Sequence, residues 1–147
     1  MGATPMTGLE SLRALVRSES RPLHLGDLLG MEIVSIEQGS VAFAIEPEPR
    51  FANFNGTLHG GVCATLLDSV MGCAVHSALA AGLSCTAIEL KVNFVRAVSV
   101  GGGRLLAEGK VIHLGRRIAT AEGFIRDQDG KLVAHGSSSC LILPTDK

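Results

Sequence analysis

A chain of 147 residues has room for one domain and little more, and with 46% hydrophobic and 18% charged residues it can pack a core and is not generally disordered. Its net charge is -1, no block of like charges occurs, and five Phe are the only aromatics. Those features exclude the basic patch and the base-stacking surface that a nucleic-acid partner requires.

In chain order, residues 1–7 read as a loose tail. Leu9, Leu12, Leu15 and Val16 recur at helical spacing and predict a short amphipathic helix ending near Ser20, before Pro22. A second helical turn is expected over His24 to Leu29, closed by Gly30. Residues 1–21 are therefore taken as tail and helix, and 22–147 as the main domain. Met31–Ile36 and Val41–Ile45 are strand-like and joined by Glu37-Gln38-Gly39-Ser40, a hairpin turn. A Gly/Asn-rich loop then runs to Thr57.

Gly61 to about Ala81 is the one segment long enough for a dominant helix, with Val62, Leu66, Val70 and Ala74 on its apolar side. A second line at the same spacing holds Gly60, Ala64, Asp68, Gly72 and His76, small enough for another backbone to approach. A helix apolar or small nearly all round is a buried one. In Thr86–Arg96 the residues Ile88, Leu90, Val92 and Phe94 alternate with polar ones, the period of a strand with one buried face. Arg104–Leu114, Arg117–Arg126 and Lys131–Leu143 follow as strands, separated by Gly115 and by Asp127-Gln128-Asp129-Gly130. About six strands and one long helix predict an α+β fold, an antiparallel sheet curled around the helix. The small-residue side of that helix calls for a second subunit.

The spacings of Cys63, Cys73, Cys85 and Cys140 fit no zinc or redox pattern, so they are expected as buried thiols with no metal. The N-terminus lacks a signal-peptide pattern, and Met6 stands where a myristoylation start requires Ser or Thr. Asp68 and His76 make the Gly60–Leu83 stretch a poor membrane span. A cytoplasmic protein is expected, without membrane or nucleic-acid partners.

Asn53-Phe54-Asn55-Gly56-Thr57-Leu58-His59-Gly60-Gly61 is a polar, glycine-rich loop opening straight into the helix. The first N–H groups of a helix lack internal partners and sit at the positive end of its dipole. Such a site can polarise a carbonyl. Asp68, two turns on, is a carboxylate set in a small or apolar surface, where burial would demand a partner or a role. On residue chemistry alone, Asp68 is equally a structural group, Gly60 and Gly61 equally close-packing positions, His59 a helix-start residue, and Asn53 and Asn55 loop-formers.

The pattern N-x-x-G-x-x-H-G-G, with Asp68 seven residues after Gly61, resembles the hotdog-fold thioesterases of the phenylacetate-pathway (PaaI-like) type. Thr86–Arg96 and His113-Leu114-Gly115-Arg116-Arg117 resemble the same family, and the likeness spans roughly residues 22–143. The resemblance implies a homodimer with active sites across its interface, usually paired into a homotetramer. It implies that Gly60 offers its backbone N–H to the thioester oxygen, with Asn53 helping to polarise or position that carbonyl, His59 shaping the loop and contacting the substrate or Asn53, and Gly61 binding substrate. Asp68 of the other subunit would be general base or nucleophile. The hydroxyl that places water in some relatives falls at Thr86, with Ala87 as the alternative. Arg116 and Arg117 would bind coenzyme A phosphates or form a solvated turn. Ala97 stands where relatives commonly carry Pro.

The function implied is hydrolysis of an acyl-CoA, aromatic or medium-chain, to free acid and CoA, with no cofactor beyond the CoA of the substrate. Two alternatives use the same fold: a hydroxyacyl-thioester dehydratase, for which His59 and Asp68 supply the residue types, and a non-catalytic acyl-CoA-binding protein.

Overall fold

A computed structural model describes residues 4–145. Helix α1 (Gly8–Arg17) starts at a reciprocal cap in which Thr7 and Glu10 satisfy each other's backbone N–H. Helix α2 (Leu25–Leu28) is a single turn capped by the His24 ring and braced by Arg21, which pairs with both oxygens of Asp27 at 2.6 and 2.7 Å. Strands β1 (Glu32–Glu37) and β2 (Ser40–Ile45) form the expected hairpin, turned at Gly39 with φ of 77°. A 3-10 turn (Pro49–Phe51) leads into the loop before α3 (Gly60–Ser77). Four strands follow: β3 (Leu83–Phe94), β4 (Leu105–Leu114), β5 (Ile118–Arg126) and β6 (Leu132–Pro144).

The six strands make one antiparallel sheet in the order β1-β2-β4-β5-β6-β3, curled around α3 as expected. Leu66, Leu67, Val70, Met71, Ala74 and Val75 of α3 are fully buried against it. Burying each large side chain among them stabilises the fold by roughly 1.5–3 kcal/mol. The helix can lie close because the register aligns Gly109, Gly123 and Gly136 in one cross-strand row. A Cβ at Gly109 would collide with the Val70 carbonyl, and one at Gly123 would press on Leu67 and Met71 at 3.0–3.1 Å. Side chains there would push the helix off the sheet.

Helix α3 ends at Ser77, four residues before the expected Ala81. The buried Ser77 hydroxyl donates to the Ala74 carbonyl and accepts the Gly39 N–H at 2.8 Å, tying the helix end to the β1–β2 turn. The Leu79 carbonyl accepts the Gly8 N–H at 3.0 Å, which docks α1 at the same place.

Two consequences bear on function. Strand β3 is an edge strand of 12 residues whose outer side pairs with nothing among the described residues, and Ile88, Leu90 and Phe94 on it are exposed. The line Gly60, Ala64, Asp68, Gly72 and His76 faces away from the sheet, and none of the five is buried. It is covered at its two ends, by the Phe94 ring beside Gly60 and by α1, where the Ser11 hydroxyl meets His76 Nε2 at 2.9 Å. A Cβ at Gly72 would meet nothing within 4 Å.

Candidate active site

The loop before α3 is organised by Asn53. Its backbone N–H donates to the Thr57 carbonyl at 2.8 Å, and its Oδ1 accepts the N–H groups of Asn55 at 2.9 Å and Thr57 at 3.2 Å. Two backbone donors on one atom fix which end of the amide is oxygen. Its Nδ2 donates to Thr57 Oγ1 at 2.9 Å. An amide nitrogen carries two hydrogens, so one Nδ2–H remains for a ligand. Asn53 is thus a loop-former, as its residue type suggests, and a donor as well.

His59 caps the helix: its Nδ1 accepts the Gly61 N–H at 2.8 Å. With Nδ1 accepting, the proton of the neutral ring sits on Nε2, turned to solvent. Gly61 spends its N–H on this cap. The Gly60 N–H, by contrast, has no partner among the described residues. It is an orphan donor at the positive end of an 18-residue helix.

Gly60 and Asn53 line a cavity of about 340 Å³ with Cys63, Phe94, Arg96 and Val98. Phe94 lies so close that a Cβ on Gly60 would come within 3.0 Å of two ring carbons. Phe94 and Arg96 carry no role in the sequence reading, although both lie in the strand that resembles the family. What shows them is β3 leaving the sheet beside the loop, where Val95 and Arg96 both donate to the Val133 carbonyl.

Asp68 is exposed in the single chain and has no hydrogen-bond partner among the described residues. The expectation of a buried carboxylate is corrected here. Asp68 belongs to the line of α3 that faces away from the sheet. Its field is still felt nearby: burial, and secondarily the Asp68 charge, push the Cys73 thiol up to about 11.

Thr86 is exposed and pairs with Leu141, whereas Ala87 pairs with the fully buried Cys140. Directly paired residues share a face, so Ala87 points to the helix and Thr86 away from it. A bulge between Ala87 and Glu89 absorbs Ile88 and resets the alternation. Arg116 and Arg117 sit exposed in the β4–β5 turn. Phe94, beside Gly60, leads through Ala134 to Ile125 and Ala107 at the opposite end of the ladder. One chain therefore brings together Asn53, His59, Gly60 and Gly61, and leaves Asp68, Thr86, Arg116 and Arg117 apart from them.

The model of the thioesterase superfamily matches residues 55–134, more than half of the chain. This chain belongs to the thioesterase superfamily. Among curated proteins it is 32% identical over 117 residues to a Saccharolobus solfataricus protein named provisionally as an esterase, covering 80% of this chain and 81% of the relative. It is 27% identical over 135 residues to human acyl-coenzyme A thioesterase 13, covering 90% and 94% of the two chains. A phenylacetic acid degradation-related protein of Ralstonia eutropha superposes with a TM-score of 0.78 at 27% identity, over 88% of this chain and 97% of that one. The protein is a PaaI-like hotdog thioesterase and a thioester hydrolase, as the loop-helix motif implied. No helix among the described residues is long and apolar enough to cross a membrane.

Proposed function

We propose that this thioesterase hydrolyses acyl-CoA, aromatic or medium-chain, to the free acid and CoA at sites shared between two subunits. The observation that carries this is the separation of Gly60 and Asp68 on one helix. Eight residues at 1.5 Å each put them about 12 Å apart along the axis. A reacting carbonyl must lie about 3 Å from both its polarising donor and its base or nucleophile. One chain cannot satisfy both, and two chains can.

The unpaired β3 edge and the uncovered small-residue side of α3 supply the surface for the second chain. A long exposed apolar edge strand is a ready template for pairing, and a two-fold axis places the same surface on both partners. The free Gly60 N–H and the remaining Asn53 Nδ2–H of one subunit then hold the thioester oxygen. Asp68 of the other subunit either takes a proton from water as it attacks, or attacks the carbonyl itself to form an anhydride that water opens. In both routes the C–S bond breaks and CoA leaves as the thiolate, to be protonated. Arg116 and Arg117 of the β4–β5 turn, with Arg96 at the Gly60 cavity, supply cations for the CoA phosphates. The dimers pair into a homotetramer, and the protein works in the cytoplasm, a setting that suits its four free thiols.

A panel of acyl-CoA substrates with thiol detection, run on wild type and Asp68→Asn, tests the proposal. General acid–base contributions run to roughly 100- to 10,000-fold, so a loss of about 100-fold or more is expected. An Asp68→Asn enzyme as fast as wild type would end the assignment.

A further inference from the structure

Phe94 closes one side of the cavity around Gly60, and two separate ties set its place there. The first is the sheet. Phe94 pairs with the fully buried Ala134, so both side chains lie on the face that meets α3. The second is a clamp between the segment after β3 and the loop before α3. Leu58 donates its N–H to the Val98 carbonyl at 2.8 Å, and Thr57 bridges to Ser99. The ring thus reaches the first residue of α3 from another element, with two carbons 3.0 Å from the Cβ position of Gly60. The N and Cβ positions of one residue are only about 2.5 Å apart. The ring therefore stands beside the Gly60 N–H as well.

Core packing does not account for this placement. Phe94 stays 61% exposed, and a ring left mostly in water adds little to stability. What it stands against is an N–H with no partner among the described residues. The cavity wall on this side is apolar, since Leu58, Cys63 and Val133 are all buried. A donor held among apolar groups needs little dehydration when a carbonyl arrives. Its bond to a charged oxygen is also stronger where the local dielectric is low.

We propose that Phe94 shields the Gly60 N–H from water and thereby sets how strongly that N–H polarises the thioester carbonyl. The inference rests on the proposed role of the Gly60 N–H. Phe94 is a positioning residue: it transfers no proton, forms no bond, and acts through its neighbour. Charge on the carbonyl oxygen is small in the bound substrate and grows in the transition state. The shield therefore acts on kcat more than on KM.

Phe94→Ala removes the ring, and Phe94→Leu keeps an apolar group in its place. One oxyanion donor is worth roughly 100- to 1,000-fold in kcat, so loss of its shield should lower kcat about tenfold in Phe94→Ala. KM should stay within about twofold of wild type, and Phe94→Leu should recover most of the loss. The shield itself is read from hydrogen exchange of the Gly60 amide, followed by NMR. In Phe94→Ala this amide should exchange about tenfold faster than in wild type, and in Phe94→Leu close to the wild-type rate. The Gly61 amide, held by His59 Nδ1, is the internal control and should not respond. Unchanged Gly60 exchange in Phe94→Ala would overturn the inference. So would faster exchange at Gly60 and Gly61 together, which marks a loosened loop, or faster Gly60 exchange with an unchanged kcat. If wild type hydrolysed no acyl-CoA, the proposed function would fall, and the exchange rates alone would decide whether Phe94 guards this N–H.

Discussion

Gly60 and Phe94 are in direct contact: a Cβ on Gly60 would stand 3.0 Å from two carbons of the Phe94 ring. The glycine is needed for this approach, because its backbone is helical and not left-handed. Phe94 is 61% exposed in the chain, so its ring can yield toward the cavity that it shares with Gly60.

Gly60→Ala should therefore be tolerated by the fold and costly to the reaction. Alanine favours helix by about 1 kcal/mol over glycine, which offsets much of the cost of moving the ring. The displaced ring occupies space in front of the free N–H. Thermal unfolding should shift by only a few degrees, while kcat/KM for an acyl-CoA falls about tenfold or more. A variant that loses activity and stability together would show that the contact is structural.

Sharing of the site predicts complementation. Asn53→Ala removes a donor, and Asp68→Asn the base or nucleophile; each homodimer is then defective at both sites. Co-expressed chains that pair at random give mixed dimers half the time, each with one intact site, so about a quarter of wild-type activity should return. Two differently tagged chains and tandem purification would raise this to about half for the mixed species. Activity no higher than in either parent would place Asn53 and Asp68 in the same chain's site, or outside it.

Much of this was legible in the sequence because local patterns carried it. The period-two run from Ile88 to Phe94 is a strand, and the loop from Asn53 to Gly61 opens the one long helix. What stayed hidden depended on register. Gly109, Gly123 and Gly136 are thirteen or fourteen residues apart and look unrelated until β4, β5 and β6 pair. The bulge at Ile88 likewise decides that Ala87, not Thr86, faces the helix. Asp68 was legible as unusual but not as exposed, because spacing shows which residues share a helix face and not what covers that face.

The α1–α3 junction carries a pH dependence. Burial lowers the pKa of His76, whose Nε2 meets the Ser11 hydroxyl at 2.9 Å. The unfolded chain takes up a proton near its ordinary pKa of about 6.5, and the folded chain only at lower pH. The stability tied to neutral His76 is thus complete above the ordinary value and is lost as pH falls through the folded one. Thermal unfolding should move to lower temperature between pH 7.5 and 5.5, with a shallower slope in His76→Gln. An equal slope in the variant would assign the dependence to other groups.

The cysteines offer a test of the uncovered helix side. Burial pushes the thiols of Cys73 and Cys85 up to about 11, with the Asp68 charge adding to the effect at Cys73. Thiolate is the reactive form, so at pH 7.5 both should alkylate far more slowly than a free thiol, whose pKa is about 8.5. Both are only partly buried in one chain, and a second subunit on α3 and β3 would cover them further. Mass-resolved iodoacetamide labelling should accelerate for Cys73 and Cys85 when the protein is diluted below its dimerisation constant. The fully buried Cys140 and the buried Cys63 should not respond. Equal labelling at all dilutions, with a dimer shown to dissociate over the same range, would move the interface away from this side of α3.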